Sequence, residues 1–330
     1  MSPNQELFSK DADGKSNEYS SVIDFCHTLK KLAPGIYLDK GPRLMVDGVP
    51  INIVSKSNLE QDQIAFLFCF HGALNQDDRS IPFFQHAFSS ANLCGGKTTV
   101  ISIADPSLRI DKKLTTAWYA GDHEVDTMKI LGKLVDSLYQ DYPLAYFQFE
   151  AASSGARAAL LLSHRVPNSW CLLFNPLPQL RGLSYDLGNY LKTCWQNKPD
   201  AYGGIVADNL AELYAKGHQN YILTLQNAFD VNFTRSILPF MGEAFLCSPK
   251  FLMLSSYYKG MLKHDFPWED AKVWRKSFLL TRPATFESIV ENASKSLGKN
   301  YSSNNTAGVT DRNDLLIAKH IASTALHKAV

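Results

Sequence analysis

The stretch AYFQFEAASSGARAALLLSH, from Ala145 to His164, joins an apolar segment to a helix-like segment through a run of small residues. Ser153 and Ser154 lie at the junction, preceded by two alanines and followed by Gly155. Where a strand turns sharply into a helix, the residues two positions before and after the apex are crowded, so they must be small. The stretch therefore predicts a strand–turn–helix corner with a serine hydroxyl at its apex.

The pattern of small residues fits two registers. With Ser153 at the apex the flanking residues are Ala151 and Gly155, and with Ser154 at the apex they are alanines. Glycine is the common residue two positions after such an apex, which favours Ser153 and leaves Ser154 as the alternative. A tight turn without chemistry is a further interpretation. A phosphate-binding turn is disfavoured because the sequence contains neither G-x-G-x-x-G nor a Walker motif.

Apolar segments alternate with helical patterns along most of the chain. The runs QIAFLFCF, TTVISIA and LAYFQFEA are nearly continuous in apolar residues, which is typical of strands covered on both faces. Three later segments continue the series: SWCLLFNP, NYILTLQN and KFLMLSSY. Earlier, RLMVDGVPINIVS predicts a β-hairpin that turns at Asp47-Gly48. The alternation predicts a doubly wound α/β architecture.

The sequence predicts one large domain with two additions. Residues 1–19 are polar and predict a flexible N-terminal arm, and residues 20–330 suit a single α/β domain. Within that domain, residues 181–217 carry helical segments without a strand. We expect this segment to form a helical cap over the sheet.

The composition excludes several classes of partner. The chain is 45% hydrophobic and 20% charged, with a formal net charge of +1 and no dense run of lysine and arginine, so we expect no nucleic-acid partner. No apolar stretch approaches the ~18–20 residues of a membrane helix, and the polar N-terminus does not resemble a signal peptide. The six scattered cysteines indicate buried thiols in a cytoplasmic protein. No spacing of ligands predicts a metal, and no motif predicts a cofactor.

A serine hydroxyl becomes a nucleophile only when an imidazole accepts its proton and a carboxylate orients that imidazole. Asp230 directly follows the strand candidate NYILTLQN, and His264 follows KFLMLSSY. Both residues therefore fall in loops at the carboxyl ends of strands, as Ser153 does. Asp265 is a rival for the acid but is poorly oriented beside the histidine, and an aspartate after a strand is also a common turn former.

A second strand end supplies backbone donors. His71, Gly72 and Ala73 follow the run FLFCF. A turn here would direct the N–H of Gly72 or Ala73 at the same point as the N–H of Ser154, and paired N–H groups of this kind stabilise an oxyanion. The sequence therefore predicts an oxyanion hole beside the serine.

From about Arg43 to His264 the sequence resembles the α/β-hydrolase superfamily. The resemblance rests on the HG turn, the serine corner, Asp230 and His264. It implies an eight-stranded, mostly parallel sheet with its site at the carboxyl edge, and a serine esterase in which Ser153, His264 and Asp230 form a catalytic triad. Two stretches, TTAWYAGD and LTLQNAFDVNFTRSILPFM, are more loosely similar to bacterial hydrolase-like proteins associated with surface polysaccharide or glycoprotein modification. That similarity implies an acyl ester on a carbohydrate, such as an O-acetyl group.

Residues near the predicted strand ends are candidates for substrate contact. They are His71, Trp118, Tyr119 and Trp268. Two other functions fit the same residues. An O-acyltransferase would use the same triad with a sugar acceptor, and a catalytically inactive hydrolase-fold protein would use the scaffold to bind a partner.

Overall fold

The structure is a computed structural model of the chain. It describes residues 18–61, 63–180, 184–196, 210–227, 230, 232–238, 240, 248, 250–256, 264, 268–280 and 285–301.

Ten strands form one sheet in the described part of the chain. The strands are β1 (Glu18–Ser20), β2 (Gly35–Ile36), β3 (Arg43–Val46), β4 (Val49–Lys56), β5 (Ala65–Phe70), β6 (Thr99–Ile103), β7 (Tyr146–Ala152), β8 (Trp170–Phe174), β9 (Tyr221–Asn227) and β10 (Phe251–Ser256). Their order is β1-β3-β4-β6-β5-β7-β8-β9-β10, with β2 paired to β4. Strand β4 runs antiparallel to β2, β3 and β6, and every other pair is parallel. The predicted mostly parallel sheet is confirmed, and two short strands, β1 and β2, add to the eight expected.

Helices cover both faces of this sheet. They are α1 (Val22–Lys31), α2 (Phe88–Cys94), α3 (Thr127–Asp141), α4 (Ala156–Ser163), α5 (Ser184–Cys194), α6 (Leu210–Ala215), α7 (Trp268–Leu280) and α8 (Phe286–Tyr301). Phe66 and Phe68 of β5 pack into a core with α1, α3 and α4, whereas Leu67 and Cys69 pack into a second core with α2, α7 and α8. Successive residues of a strand point to opposite faces, so a strand with two buried faces must be apolar throughout. This explains the continuous apolar runs.

The first strands and helix follow local sequence signals. Val46 and Val49 pair across the turn of the predicted hairpin, where Asp47 and Gly48 both have positive φ (48° and 93°), as a two-residue turn of this hand requires. The hairpin is confirmed. Helix α1 begins after Ser21, whose hydroxyl accepts a hydrogen bond from the N–H of Asp24.

The predicted flexible arm, residues 1–19, overlaps an edge strand at its last two residues. Glu18 and Tyr19 belong to β1, which pairs in parallel with β3. Three residues are too few to show a periodic pattern, so the sequence alone gives no sign of this edge strand. The remaining part of the predicted arm, residues 1–17, lies outside the described residues.

The predicted cap segment divides between two packing environments. Tyr190 and Cys194 of α5 pack with Trp118 in a third apolar cluster, built largely from loops that follow the strands. By contrast, Leu210 and Tyr214 of α6 belong to the main core on one face of the sheet. Residues 181–183 and 197–209 lie outside the described residues, and the prediction that this segment covers the site stays a prediction.

The described cysteines are buried free thiols: Cys26, Cys69, Cys94, Cys171 and Cys194. Cys247 lies outside the described residues. Among the helices of the described ranges, none combines the length and the apolar character needed to cross a lipid bilayer.

Candidate active site

The corner between β7 and α4 brings Ser153 to the carboxyl edge of the sheet. A single 3-10 turn, Ser153–Gly155, connects the strand to the helix. Ser153 has a φ of 50°, in the left-handed region that residues with side chains seldom adopt. A Cβ atom on Gly155 would lie 2.5 Å from the carbonyl oxygen of His71 and 3.0 Å from the Cβ of Phe70. The small residue that the sequence pattern demands at position 155 is therefore explained by the close approach of the turn after β5.

The side chains of Asp230, His264 and Ser153 form a continuous hydrogen-bonded chain. His264 Nδ1 lies 2.7 Å from Asp230 Oδ2, and His264 Nε2 lies 2.7 Å from Ser153 Oγ. The carboxylate is fully buried, whereas 27% of the imidazole side chain is exposed. Ser154, the alternative apex, is buried, and the imidazole contacts Ser153. Asp265, the rival acid, lies outside the described residues.

The surroundings of Asp230 hold its carboxylate in the ionised form. Burial acts to raise its pKa, but hydrogen bonds from His264, from the N–H of Asn232 and from the amide of Gln226 outweigh burial and lower the pKa below its usual value. An ionised carboxylate only accepts hydrogen bonds, so Nδ1 of His264 carries the proton. Nε2 is then the acceptor for the hydroxyl of Ser153.

The turn after β5 is held by the ring of His71. Its Nε2 accepts a hydrogen bond from the N–H of Asp105 at 3.1 Å, so its Nδ1 carries the proton and donates to the carbonyl of Gly72 at 2.7 Å. Burial, with a smaller effect of the nearby His86, lowers the pKa of His71 to about 3, and the ring is therefore neutral at pH 7. A Cβ on Gly72 would lie 3.1 Å from the Cβ of Ser153. The turn thus packs directly against the serine.

The peptide geometry of this turn determines which way its N–H groups point. The Gly72–Ala73 peptide bond is trans, and in a trans peptide the carbonyl and the N–H point in opposite directions. Because His71 Nδ1 binds the carbonyl of Gly72, the N–H of Ala73 points away from the imidazole. That direction leaves the N–H of Ala73 free of the ring, and the choice between Gly72 and Ala73 as donor to a bound group stays a prediction.

Two of the aromatic residues predicted to contact substrate, Trp118 and Tyr119, are buried. Trp118 and Tyr119 are each only 1% exposed and have positive φ values of 52° and 55°. Asp105 accepts a hydrogen bond from the N–H of Tyr119, and the Tyr119 hydroxyl donates to Ile103 and accepts from the N–H of His71. In this structure, Tyr119 and His71 thus support the turn after β5.

The two tryptophans predicted to contact substrate lie on or against helices. Trp118 packs edge-on against Tyr190 of α5, with ring centroids 5.8 Å apart. Trp268 is the first residue of α7, and its side chain lies outside the described part of the structure. Contact of these residues with a substrate stays a prediction.

Sequence reasoning missed Asn175, the residue that directly follows β8. Its amide donates to the carbonyl oxygen of His264 at 3.2 Å. The available signal was its position, a polar residue at the carboxyl end of a strand beside β7. Its partners come from the end of β9 and from the position of His264 after β10, so the sequence does not indicate them. Across the described ranges, no cluster of three or more histidine, cysteine, aspartate or glutamate side chains could hold a metal ion.

The order of the three side chains along the chain and across the sheet decides the type of fold. Ser153 follows β7, Asp230 follows β9 and His264 follows β10, all on the parallel part of a sheet in which β4 alone is reversed. Serine, acid and histidine in this chain order, with the serine on a strand-to-helix elbow, are typical of one architecture. The fold is that of the α/β-hydrolases.

Solved structures similar to this α/β-hydrolase fold include three enzymes. The capsule O-acetyltransferase of Neisseria meningitidis serogroup A in complex with caged gadolinium has 12% sequence identity and a TM-score of 0.45, covering 79% of this chain and 94% of that chain. The S-formylglutathione hydrolase from Agrobacterium tumefaciens has 10% identity and a TM-score of 0.44, covering 76% and 97%. MenH from S. aureus has 14% identity and a TM-score of 0.42, covering 73% and 98%. No protein-family model and no curated protein matches the sequence.

Proposed function

We infer that the protein is a serine esterase that cleaves carboxylic esters through an acyl-enzyme on Ser153. One observation carries the proposal: Asp230, His264 and Ser153 are joined by two hydrogen bonds of 2.7 Å, with the serine on a left-handed turn at the carboxyl edge of the sheet. Nucleophilic catalysis requires a serine hydroxyl, a base whose acceptor nitrogen binds that hydroxyl, and an ionised acid that orients the base.

In the first half-reaction, Ser153 Oγ attacks the ester carbonyl carbon while its proton passes to His264 Nε2. The Oγ–C bond forms and the carbonyl oxygen becomes an oxyanion. Asp230 stabilises the imidazolium and keeps its ring in the required orientation. His264 then gives the proton to the leaving alcohol oxygen as the C–O bond breaks, which leaves an acyl group on Ser153.

The N–H groups of Ala73 and Ser154 are the proposed donors to the oxyanion. Ser154 lies in the turn that leads into α4, where the positive end of the helix dipole adds to the effect of its N–H. The N–H of Ala73 points away from the ring that holds the carbonyl of Gly72. The packing of Gly72 against Ser153 supports this arrangement, because it keeps the turn beside the reacting oxygen.

In the second half-reaction, the oxygen of a hydroxyl compound attacks the acyl carbon while His264 Nε2 accepts its proton. The Oγ–C bond then breaks, and His264 returns the proton to Ser153 Oγ. Water as the attacking molecule gives hydrolysis, and a sugar hydroxyl gives acyl transfer. The acyl ester of a carbohydrate is the substrate class to test first, because it is the one implied by the resemblance of the sequence.

The test is labelling of the intact chain with a fluorophosphonate, followed by location of the adduct by mass spectrometry. We expect one adduct on Ser153 and turnover of p-nitrophenyl acetate that falls by several orders of magnitude in Ser153→Ala. Ser154→Ala is the matched control, since it removes the neighbouring hydroxyl and leaves the hydrogen-bonded chain intact. An adduct on Ser154, with activity lost only in Ser154→Ala, would move the nucleophile by one residue.

The same assay separates the remaining functions. Faster release of p-nitrophenol in the presence of sugar acceptors, together with an acylated sugar as product, would identify an acyltransferase. Absence of both labelling and ester turnover would contradict the proposal and favour a non-catalytic hydrolase-fold protein.

A further inference from the structure

Asn175 connects the loops that carry the proposed base and acid. It follows β8 directly, is buried, and adopts a left-handed backbone conformation with φ of 40°. Its side-chain Nδ2 donates to the carbonyl oxygen of His264 at 3.2 Å, and its Oδ1 accepts from the N–H of Asn227 at 2.7 Å. Asn227 is the last residue of β9 and lies three positions before Asp230. One amide therefore bridges the end of β9, three residues before Asp230, and the main chain of His264.

The backbone of Asn175 is itself held in place. Its N–H donates to the carbonyl of Leu225 on β9 at 2.9 Å, so the side chain projects from a hydrogen-bonded part of the sheet edge. Within the described ranges, Asn175 is the hydrogen-bond partner of the His264 backbone, whereas Asp230 and Ser153 contact only its ring. The ring contacts determine the orientation of the imidazole, and the Asn175 contact determines the position of the main chain from which the imidazole projects.

We propose that Asn175 is a positioning residue for His264: its amide holds the main chain of the base at the distance from Ser153 that proton transfer requires. This role rests on the proposed esterase function. Proton transfer depends steeply on geometry, and a displacement of about 1 Å costs on the order of 100-fold in rate.

The position requires a side chain that donates on one side and accepts on the other. The amide of Asn175 does both at neutral pH, whereas an ionised carboxylate cannot donate and an aliphatic side chain does neither. The left-handed backbone also favours asparagine, since glycine, asparagine and aspartate are the residues that adopt this conformation most readily. Aspartate at position 175 would keep the shape, the backbone conformation and the acceptor for Asn227, but would replace the donor to His264 by a carboxylate oxygen and add a negative charge at a buried position.

The chain provides a matched control at the opposite end of the same strand. Asn168 precedes β8, also has a left-handed φ of 59°, and is exposed. Its Oδ1 accepts a hydrogen bond from Lys250 Nζ, which an aspartate would preserve. Asn168→Asp therefore makes the same chemical change on the same backbone conformation, away from the proposed triad.

The experiment compares Asn175→Asp, Asn175→Gly and Asn168→Asp with the unmodified chain. Three quantities are measured: the rate of fluorophosphonate labelling, kcat and KM for p-nitrophenyl acetate, and hydrogen–deuterium exchange of the peptide that contains His264. In both variants of Asn175 we expect labelling and kcat to fall by about 10- to 100-fold, KM to stay within about twofold, and exchange at the His264 peptide to become faster. Asn168→Asp should match the unmodified chain in all three.

The outcomes separate this inference from the proposed function. If the unmodified chain fails to label, the esterase proposal is overturned. Faster exchange at the His264 peptide in the Asn175 variants would still support the conclusion that Asn175 fixes the main chain of His264. If Asn175→Asp does not fold, Asn175→Gly tests the inference in its place, because glycine adds no charge and removes backbone strain. Labelling, kcat and exchange equal to those of Asn168→Asp in a folded Asn175 variant would overturn the inference.

Discussion

Gly155 lies directly against the carbonyl oxygen of His71, and a Cβ atom at residue 155 would approach that oxygen to 2.5 Å. This contact joins the helix that follows the proposed nucleophile to the turn that carries a proposed oxyanion donor. The turn that carries Ser153 and the turn after β5 therefore both depend on residue 155, where no atom larger than hydrogen fits in place of a side chain. The neighbouring contact of Gly72 with Ser153 shows the same closeness from the other side.

Gly155→Ala should impair the site more than it harms the fold. The methyl group meets backbone and not a flexible side chain, so the turn at residues 71–73 must move away from Ser153. We expect kcat for p-nitrophenyl acetate to fall by about 100-fold and the free energy of unfolding to fall by about 1–3 kcal/mol. The measurements are steady-state kinetics and urea denaturation.

Gly188→Ala is the matched control for that change. Gly188 lies in α5 with no atom within 4 Å of an added Cβ. Alanine in a helix is favoured over glycine by roughly 0.5–1 kcal/mol, so this variant should be slightly more stable and equally active. Equal kcat in Gly155→Ala and Gly188→Ala would refute the proposed dependence of the site on the close contact.

Asp230→Asn should reduce catalysis while leaving the shape of the acid loop in place. The amide cannot stabilise an imidazolium, and its NH₂ group facing His264 Nδ1 favours the opposite tautomer, with the proton on Nε2. A drop in kcat of about three to four orders of magnitude is expected. Asp126→Asn makes the same change at the N-cap of α3, where asparagine caps as well as aspartate. Unchanged kcat in Asp230→Asn would remove the acid from the mechanism.

The parts of the fold that the sequence predicts are those specified by local patterns. The run QIAFLFCF is apolar throughout because Phe66 and Phe68 face one core while Leu67 and Cys69 face the other, so the strand and its burial on both faces are visible in the sequence. Ser153 is visible because a sharp corner excludes large neighbours, as the close approach of the His71 carbonyl to position 155 illustrates.

Other features depend on contacts between distant segments. Glu18 pairs with Leu44 in an edge strand too short to show a pattern. The sequence placed Tyr119 among the residues for substrate contact, but its hydroxyl bonds Ile103 and the N–H of His71 beneath the turn. Asn175 acquires its partners only when the loops after β9 and β10 meet. Such roles are set by tertiary structure, and one sequence carries no record of them.

Arg275→Met should destabilise the fold strongly. Arg275 of α7 donates to Glu150 of β7 at 2.6 Å, both side chains are almost fully buried, and Ser90 donates to the other carboxylate oxygen. Removing the guanidinium leaves a buried carboxylate without its counter-charge, which costs about 3–5 kcal/mol. Urea denaturation measures the loss.

Two further variants test that explanation. Lys272→Met breaks an exposed ion pair with Glu269 on the same helix and should cost no more than about 1 kcal/mol. Replacing both Glu150 and Arg275 by methionine removes the unpaired charge and should recover most of the stability that Arg275→Met loses. A double variant as unstable as the single one would show that packing, and not the buried charge, accounts for the effect.

His71→Asn should make the free energy of unfolding less dependent on pH between pH 7 and pH 5. Burial lowers the pKa of His71 to about 3 in the folded chain, against 6.5 for an ordinary histidine. The unfolded chain therefore binds a proton at this residue below pH 6.5 while the folded chain does not, so the stability associated with the neutral ring is present above pH 6.5 and is lost as the pH falls towards 3. Between pH 7 and pH 5 this loss amounts to about 2 kcal/mol.

Asparagine keeps a donor for the carbonyl of Gly72 and does not titrate, but it leaves the N–H of Asp105 without its acceptor. At pH 7 the variant should therefore be less stable than the unmodified chain by about 1–3 kcal/mol. From pH 7 to pH 5, urea denaturation should show its unfolding free energy falling by about 2 kcal/mol less than that of the unmodified chain. Parallel pH dependences in the two proteins would mean that the His71 ring takes up its proton as readily in the folded state as in the unfolded state. The neutral ring could then not be what holds the turn that carries the proposed oxyanion donor.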